Sequence, residues 1–153
     1  MATRPRLIFL LQAAQRRLQQ RIAAEQGRAA DAQGQAPSPA QAGLLFALER
    51  GDGATMGALA QALALAPSAV SGLVQRLEAL GWVERRPCPD DARAQRVWLL
   101  PAGRDRLPTL HQAVARLNRQ LTRGFSEAEL ATVGRWLAQV AAEGPDAPDP
   151  ETP

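Results

Sequence analysis

Two residue types are missing from the sequence. It contains no lysine and no tyrosine, and it has only one cysteine and one histidine. A single cysteine cannot form an internal disulfide, so we expect the reducing cytoplasm as the compartment. One histidine, one cysteine and no glycine-rich phosphate loop leave no recognisable catalytic constellation and no multi-histidine zinc site. We therefore expect a protein that is not an enzyme and that uses no cofactor or metal.

Aromatic residues and long apolar runs are also scarce. Aromatic side chains make up 4% of the chain and apolar residues 46%, so the core must be built mainly from Leu, Ala and Val. This composition favours helices over a large sheet. No apolar run approaches the roughly 20 residues that span a bilayer, and the apolar stretch 7–11 is too short for a signal peptide. We expect one domain without a membrane partner.

The positive charge is carried by arginine alone and is unevenly distributed. The 18 Arg residues exceed the 15 acidic residues by three, and the composition of a GC-rich gene is the favoured explanation for the use of arginine alone. Residues 1–28 hold six Arg and one Glu, a net charge of +5, whereas residues 124–153 hold one Arg and six acids, a net charge of −5. The two ends are expected to attract each other.

Hydrophobic periodicity predicts four helices in the first half of the chain. They cover about residues 4–28, 39–50, 56–63 and 67–80. Ser38, Pro39 and Gln41 form a capping box that begins the second helix, and Gly81 ends the fourth. The third and fourth helices are joined by a tight turn, which is typical of a helix-turn-helix motif.

A hairpin is predicted after the fourth helix. Two short strand patterns cover residues 82–86 and 95–100, and the charged, proline-containing segment 87–94 separates them. We expect this segment to form a long connecting loop at the tip of the hairpin.

Two more helices are predicted in the last third of the chain. One begins near Ala102, and Pro108 must kink or restart it because proline has no amide proton. Ser126 and Glu129 form a capping box that begins the last helix. The acidic, proline-rich segment 146–153 is predicted to be a disordered tail.

The order of these elements and two local segments resemble a known family. The segment LAQALALAPSAVSGLVQRLEALGWVERR resembles the helix-turn-helix of the MarR (multiple-antibiotic-resistance regulator) family. The segment PDDARAQRVWLLPAG resembles its wing, including the acidic-x-Arg signature at Asp91 and Arg93. The resemblance covers about residues 4–143. It implies a mainly α fold, a winged helix-turn-helix with a three-helix core and a two-stranded wing, flanked by N- and C-terminal dimerisation helices.

The resemblance also implies a domain organisation. Residues 1–145 form a single MarR-type domain. Within it, residues 38–100 form the winged helix-turn-helix, and residues 4–28 and 102–143 form the dimerisation helices. Ala66 and Leu100 depart from the family pattern because they lack the capping side chains that are common there. Ala92 stands where a basic residue is frequent, which would weaken DNA affinity.

The fourth helix is predicted to read DNA in the major groove, because its exposed face carries short polar groups and one arginine. The predicted DNA-binding residues on this helix are Ser68, Ala69, Ser71, Gly72, Gln75 and Arg76. Gln75 would read adenine, Arg76 would bond guanine or a phosphate, and Gly72 would allow a close approach. An ordinary solvated helix face is the alternative interpretation of Gln75 and Arg76.

The wing supplies further predicted DNA contacts. The resemblance implies that Arg93 reaches the minor groove, where narrow A·T-rich DNA attracts guanidinium groups. Asp91 would hold Arg93 or Arg85 in a fixed rotamer, or it would satisfy the amides of a turn. Arg86 and Arg96 are predicted phosphate contacts, and alternation along the strand favours Arg86 over Arg85.

The predicted function is that of a sequence-specific, ligand-responsive transcriptional repressor or, less often, activator. One winged unit touches too little DNA for useful specificity, so we expect a homodimer on a pseudo-palindromic operator in double-stranded DNA. The resemblance implies a small aromatic or phenolic effector, and Arg16, Arg17 and His111 are predicted to line its cleft. The alternative is a winged-helix protein-interaction module that does not bind DNA.

Two residue types invite functions that we do not favour. Cys88 lies in the predicted wing and has two interpretations, a redox sensor or an incidental exposed thiol. We favour the second. Trp82, Trp98 and Trp136 are predicted to be packing anchors rather than ligand platforms.

Overall fold

The computed structural model describes residues 6–29, 36–88 and 91–142, without the side chains of Ala29, Ala92 and Arg93. The chain divides into two compact units, Met1–Ala115 and Arg116–Pro153. The division falls inside a helix. The predicted disordered tail, 146–153, lies outside the described residues.

The described residues are mainly helical and include one small sheet. The helices are α1 (Leu7–Ala29), α2 (Pro39–Arg50), α3 (Met56–Leu63), α4 (Pro67–Ala79), the single-turn α5 (Pro101–Arg104), α6 (Leu107–Thr122) and α7 (Glu127–Ala142). The strands are β1 (Ala54–Thr55), β2 (Val83–Cys88) and β3 (Asp91–Leu99). β3 is the central strand, and β1 and β2 pair with it in antiparallel register. The predicted fold class is confirmed.

The sheet differs from the prediction in two respects. β1 is an additional strand of two residues, and its Ala54 pairs with Val97, a distant residue in the sequence. The segment 87–94 is not a long loop, because β2 continues to Cys88 and β3 already begins at Asp91. Pro87 cannot donate to the ladder, and the register is irregular next to it, between Pro87 and Cys88.

The helix boundaries follow the predicted signals. Ser38 Oγ accepts a hydrogen bond from the Gln41 amide at 3.3 Å, and Gln41 Oε1 accepts one from the Ser38 amide at 2.8 Å. The predicted capping box is therefore confirmed. α5 ends at Arg104 and α6 begins at Leu107. Pro108 thus lies in a first helical turn, where no amide donor is required, and the predicted restart is confirmed.

The first unit has a core of leucine and valine with one tryptophan. Its buried residues include Leu44, Leu45, Leu48, Leu59, Val70, Leu73, Val74, Leu77, Val83, Val97 and Leu99. Each such side chain contributes about 1.5–3 kcal/mol when it is fully removed from water. Trp82 is also buried, as expected of a packing anchor, and the guanidinium carbon of Arg106 lies 4.0 Å from a Trp82 ring centroid.

Large apolar side chains remain exposed on the terminal helices. On α1, Ile8 and Phe9 are 70% and 65% exposed. In the second unit, α7 has no buried residue, and Val133 and Leu137 lie exposed on it. Both helices therefore carry apolar surface that is exposed in the described part of the chain.

α7 begins at the predicted capping box. Glu129 Oε2 accepts a hydrogen bond from the Ser126 amide at 2.8 Å, and Ser126 Oγ accepts one from the Glu129 amide at 3.4 Å. The bonds from the Ser126 amide and hydroxyl lower the pKa of Glu129.

Among the described residues, no single helix is long and apolar enough to cross a membrane. α3 and α4 together have the length and apolar composition of a membrane span, but the two helices are bent by 106° at their junction. Their apolar faces form part of the core of the first unit.

Candidate nucleic-acid interface

α4 has one buried apolar face and one exposed polar face. The buried residues follow helical spacing and are Val70, Leu73, Val74 and Leu77. The exposed residues include Ser68, Ala69, Ser71, Gln75 and Arg76. These five predicted DNA-reading residues thus lie on the solvent-exposed face of α4.

Gly72 is half-buried at the border of the two faces of α4. A Cβ atom at this position would lie 3.6 Å from Arg76 Nη1, which is an ordinary van der Waals distance. Packing within the chain therefore does not require a glycine here. The missing side chain leaves space on the outer side of α4.

The start of α4 departs from common capping chemistry, as the sequence predicts. Ala66 is the N-cap and makes no side-chain hydrogen bond, and Pro67 follows at the first helical position. Proline is suited to this position because its fixed φ is helical and the missing donor is not needed there.

The hairpin β2–β3 has two faces with different residues. Val83 pairs with Leu99, and Arg85 pairs with Val97; the three apolar residues of this set are buried in the core. The alternate positions form the other face, where Arg86 pairs with Arg96. Because direct partners point to the same side of a sheet, this second face brings Arg86 and Arg96 together, with Glu84 beside them.

Arg85 is bound to the end of α4. Its Nη2 and Nε lie 2.6 Å and 2.8 Å from Glu78 Oε2, and its amide donates to Glu78 Oε1 at 2.9 Å. The side-chain hydrogen bond from Arg85 lowers the pKa of Glu78 most, while burial opposes the shift. Arg85 therefore has a carboxylate partner in Glu78, a pair that the sequence analysis did not predict.

Arg86 and Arg96 lie on the second face of the hairpin with different partners. Arg86 is exposed, forms an ion pair with Glu84, and lies with its guanidinium carbon 5.3 Å from a Trp98 ring centroid. Arg96 is half-buried and donates from Nη1 to the Gly53 carbonyl at 2.9 Å. Of the two predicted phosphate contacts, Arg86 is the more accessible.

The tip of the wing is described only in part. Asp91 opens β3, is exposed, and pairs in register with Cys88, which is half-buried. The side chain of Arg93, the predicted minor-groove residue, lies outside the described part of the chain. Its backbone belongs to β3.

The base of the wing is joined to the end of α2 by one carboxylate. Asp52 Oδ1 accepts hydrogen bonds from the amides of Leu99, at 2.8 Å, and Gly53, at 3.1 Å. Asp52 Oδ2 also pairs with Arg104 of α5. Gly53 has φ +74°, and a Cβ atom there would lie 2.6 Å from the Trp98 ring. This turn accordingly requires glycine, both for its backbone conformation and for space.

A cavity of about 600 Å³ lies between α2, α3 and the first part of α6. Its lining includes Phe46, Glu49, Arg50 and His111. His111 Nε2 lies 2.9 Å from Glu49 Oε2, and its ring centroid is 4.9 Å from that of Phe46. The cavity thus combines an apolar wall with an imidazole–carboxylate pair.

Two of the predicted effector-binding residues, His111 and Arg16, line different cavities in the described part of the chain. His111 lines the cavity just described, whereas Arg16 lines a separate groove of about 580 Å³ on α1 with neighbouring glutamines. Arg17 is exposed on α1 and lines neither of them. In the part of the chain that the structure describes, no three His, Cys, Asp or Glu residues are arranged to hold a metal ion.

Comparison with known proteins identifies the family. A sequence profile of the MarR family matches residues 37–94. The crystal structure of a probable transcriptional regulator from Pseudomonas aeruginosa is 30% identical, with a TM-score of 0.71, over 88% of this chain and 99% of that chain. This chain belongs to the MarR family of transcriptional regulators.

Two further MarR-type structures are similar. A MarR variant from E. coli, complexed with operator DNA, is 26% identical with a TM-score of 0.70, over 87% of this chain and 94% of that chain. The PcaV regulator from Streptomyces coelicolor, in complex with its natural ligand, is 23% identical with a TM-score of 0.72, over 92% of this chain and 97% of that chain. No curated protein sequence matches the chain significantly.

Two carboxylates of this MarR protein were not among the predicted site residues. Glu78 and Asp52 each bind a backbone amide and an arginine that the fold brings close. Glu78 carried a weak signal, since an acidic residue in the last turn of a helix opposes the helix dipole and suggests an outside partner. Asp52 carried only the signal of a common turn residue.

Proposed function

We propose that this MarR-family chain is a ligand-responsive repressor that binds a pseudo-palindromic operator as a homodimer. The observation that carries the proposal is the exposed face of α4, where Ser71, Gln75 and Arg76 stand opposite a fully buried apolar face. An α-helix of this kind fits the major groove, and short polar side chains and arginine recognise base edges there.

The wing supports a second set of contacts. Arg86 is exposed beside Trp98 on the outer face of the hairpin. Arginine is suited to phosphate contacts, which fix the register of the protein on the duplex without reading sequence. We further propose that Arg93 enters the minor groove and that Asp91 orients it. Arg96 would bind a phosphate through the N–H donors that are not used in its bond to Gly53.

The exposed apolar residues of the terminal helices support dimerisation. Leu7, Ile8, Phe9 and Leu10 are all more than two-fifths exposed in the single chain. Leu137 and Val140 are exposed to a similar degree on α7. Burying such residues against a second copy would remove apolar surface from water. We propose that the 4–28 and 102–143 regions form the dimer within one MarR-type domain over 1–145.

The cavity beside His111 supports a ligand-responsive function. A volume of about 600 Å³ lies within the range of small-molecule sites, which is about 300–1,000 Å³. Phe46 offers an aromatic face, and His111 and Glu49 offer polar groups to a hydroxyl or carboxyl. We propose a small aromatic or phenolic effector that binds in the cytoplasm. It would favour a dimer in which the distance between the two α4 helices does not match the spacing of the operator half-sites.

The decisive experiment is selection of bound sequences from random duplexes at low salt, together with sedimentation of the purified protein. We expect a dimer and two inverted half-sites about 10–10.5 base pairs apart, centre to centre. Arg93→Ala should weaken binding and flatten its salt dependence, and Arg119→Ala on α6 is the charge-matched control. A folded monomer that binds no duplex would instead favour the protein-interaction module.

A further inference from the structure

The junction between α4 and β2 is fixed by backbone geometry. Gly81 has φ +68°, its amide donates to the Glu78 carbonyl at 2.9 Å, and the Trp82 amide donates to the Leu77 carbonyl at 3.0 Å. These two bonds form a Schellman motif, in which glycine supplies the left-handed residue. The direction in which the chain leaves α4 is therefore set before β2 begins.

Glu78 adds a second connection across the same junction. Its carboxylate binds both the amide and the guanidinium of Arg85. β2 is an edge strand, so an amide on its outer side has no strand partner and needs another acceptor. A negative charge in the last turn of α4 is unfavourable for that helix alone. The position of Glu78 is accordingly explained by what it binds in the wing.

We propose that Glu78 is a positioning residue for DNA recognition, which fixes the wing relative to α4 and keeps Arg85 away from DNA phosphates. This inference rests on the proposed function, because it assumes that α4 and the wing bind one duplex. Arg85 and Glu78 are both only about one-quarter exposed. The pair is therefore more sheltered than the Arg86–Glu84 pair, where both side chains are more than one-third exposed.

The rigid junction would increase sequence specificity, and the withheld arginine would limit the sequence-independent part of the affinity. Base edges are read only when the reading side chains are held in register with the groove, and a rigid junction holds α4 and the wing at one angle. An arginine that binds phosphate adds affinity for every sequence equally. Withholding Arg85 from phosphate thus lowers non-specific binding and leaves base readout by Gln75 and Arg76 unchanged.

The test is the salt dependence of DNA binding by Glu78→Gln, a variant of nearly equal size without the charge. Dissociation constants are measured across a salt series for the selected operator and for an unrelated duplex. We expect the slope of log K against log salt to steepen by about 0.9 for each arginine released. Binding to the unrelated duplex should become tighter, and the ratio of operator to unrelated affinity should fall several-fold.

Three variants separate positioning from other effects. Glu127→Gln changes the net charge equally at an exposed position and should leave the slope unchanged. Adding Arg85→Gln to Glu78→Gln should return the slope to the wild-type value, which loss of folding would not do. Arg85→Lys keeps the charge, cannot form the forked contact, and should steepen the slope by itself.

The outcomes are distinguishable. If wild-type protein binds the operator and Glu78→Gln weakens both duplexes equally with an unchanged slope, the positioning role is overturned and the proposed function stands. If folded wild-type protein binds no duplex at low salt, the proposed function and this inference are both overturned.

Discussion

The Asp52 carboxylate accepts a hydrogen bond from the amide of Leu99, at 2.8 Å, and so joins the end of α2 to the base of the wing. Leu99 is buried, and the same carboxylate also binds Gly53 and Arg104. One side chain therefore satisfies the amide of a turn residue and the amide at the end of a strand, while it is itself half-buried.

We expect Asp52→Ala to lower the free energy of unfolding by about 1–3 kcal/mol, because the Leu99 amide would lose its acceptor. Urea unfolding followed by tryptophan fluorescence measures the change. Asp52→Asn is the matched control, since its amide oxygen still accepts from both backbone amides and only the charge is lost. An equal loss in both variants would show that Arg104, rather than the amides, accounts for the effect.

Gly103→Ala should also destabilise the fold. A Cβ atom at Gly103 would lie 2.3 Å from the Trp82 carbonyl oxygen, so the backbone of α5 or the start of β2 would have to move. Such overpacking costs about 1–3 kcal/mol. Gly57→Ala in α3 is the control, because Gly57 is exposed and a Cβ atom there meets nothing within 4 Å, so the change should stabilise the helix by about 0.5–1 kcal/mol. The two variants should shift the thermal midpoint in opposite directions.

The Glu78–Arg85 pair predicts a pH-dependent stability term. Since the pKa of Glu78 is lowered in the folded state by its bond to Arg85, the carboxylate contributes stability above its unfolded pKa of about 4.3. That contribution is lost as the pH falls through the lower, folded-state pKa. The difference in unfolding free energy between wild type and Glu78→Gln should be largest near neutral pH and should shrink in acid. A difference that does not change with pH would contradict this explanation.

Gln75 and Arg76 should give different signatures when each is replaced by alanine. If Gln75 reads a base, Gln75→Ala relaxes selection at one operator position in each half-site, at a cost of about 1–3 kcal/mol there. If Arg76 binds phosphate, Arg76→Ala weakens all sequences and flattens the salt slope by about 0.9 per protomer. Repeating the selection and the salt series with each variant measures both effects. Gln61→Ala, exposed on α3, serves as a control for loss of a glutamine.

His111→Ala should reduce the response to effectors without reducing operator affinity. His111 lines the cavity and is paired with Glu49 at 2.9 Å, so its loss would remove one of the few polar groups available to a phenolic acid. Displacement of the operator by a panel of hydroxybenzoic acids, followed by fluorescence anisotropy, measures the response. Gln112→Ala, on the next residue of α6 and outside the cavity lining, should respond as the wild type does.

Local signals predicted most of the helices. Ser38 and Gln41 mark the start of α2 because both halves of a capping box are encoded within four residues. The restart at Pro108 follows from the missing amide of proline. The apolar face of α4 likewise follows from its spacing, so the exposed set around Gln75 and Arg76 was available from the sequence.

Long-range contacts account for what the sequence did not predict. β1 has only two residues and exists because Ala54 pairs with Val97, and a two-residue segment has no periodicity to detect. Pro87 indicated a loop, yet an irregular register next to it lets β2 continue to Cys88. Glu78 and Arg85 are seven residues apart, and only the Gly81 turn brings them together. Sequence spacing on one element cannot reveal such a pair.

The positions of the three tryptophans have a practical consequence for fluorescence spectroscopy of this protein. Because the chain has no tyrosine and three tryptophans, its near-ultraviolet emission comes almost entirely from indole rings. Those rings are buried in the core at Trp82, half-buried beside a wing arginine at Trp98, and half-buried on α7 at Trp136. Single-tryptophan versions would therefore provide a separate optical probe of the interior, the hairpin and the last helix, with no dye attached.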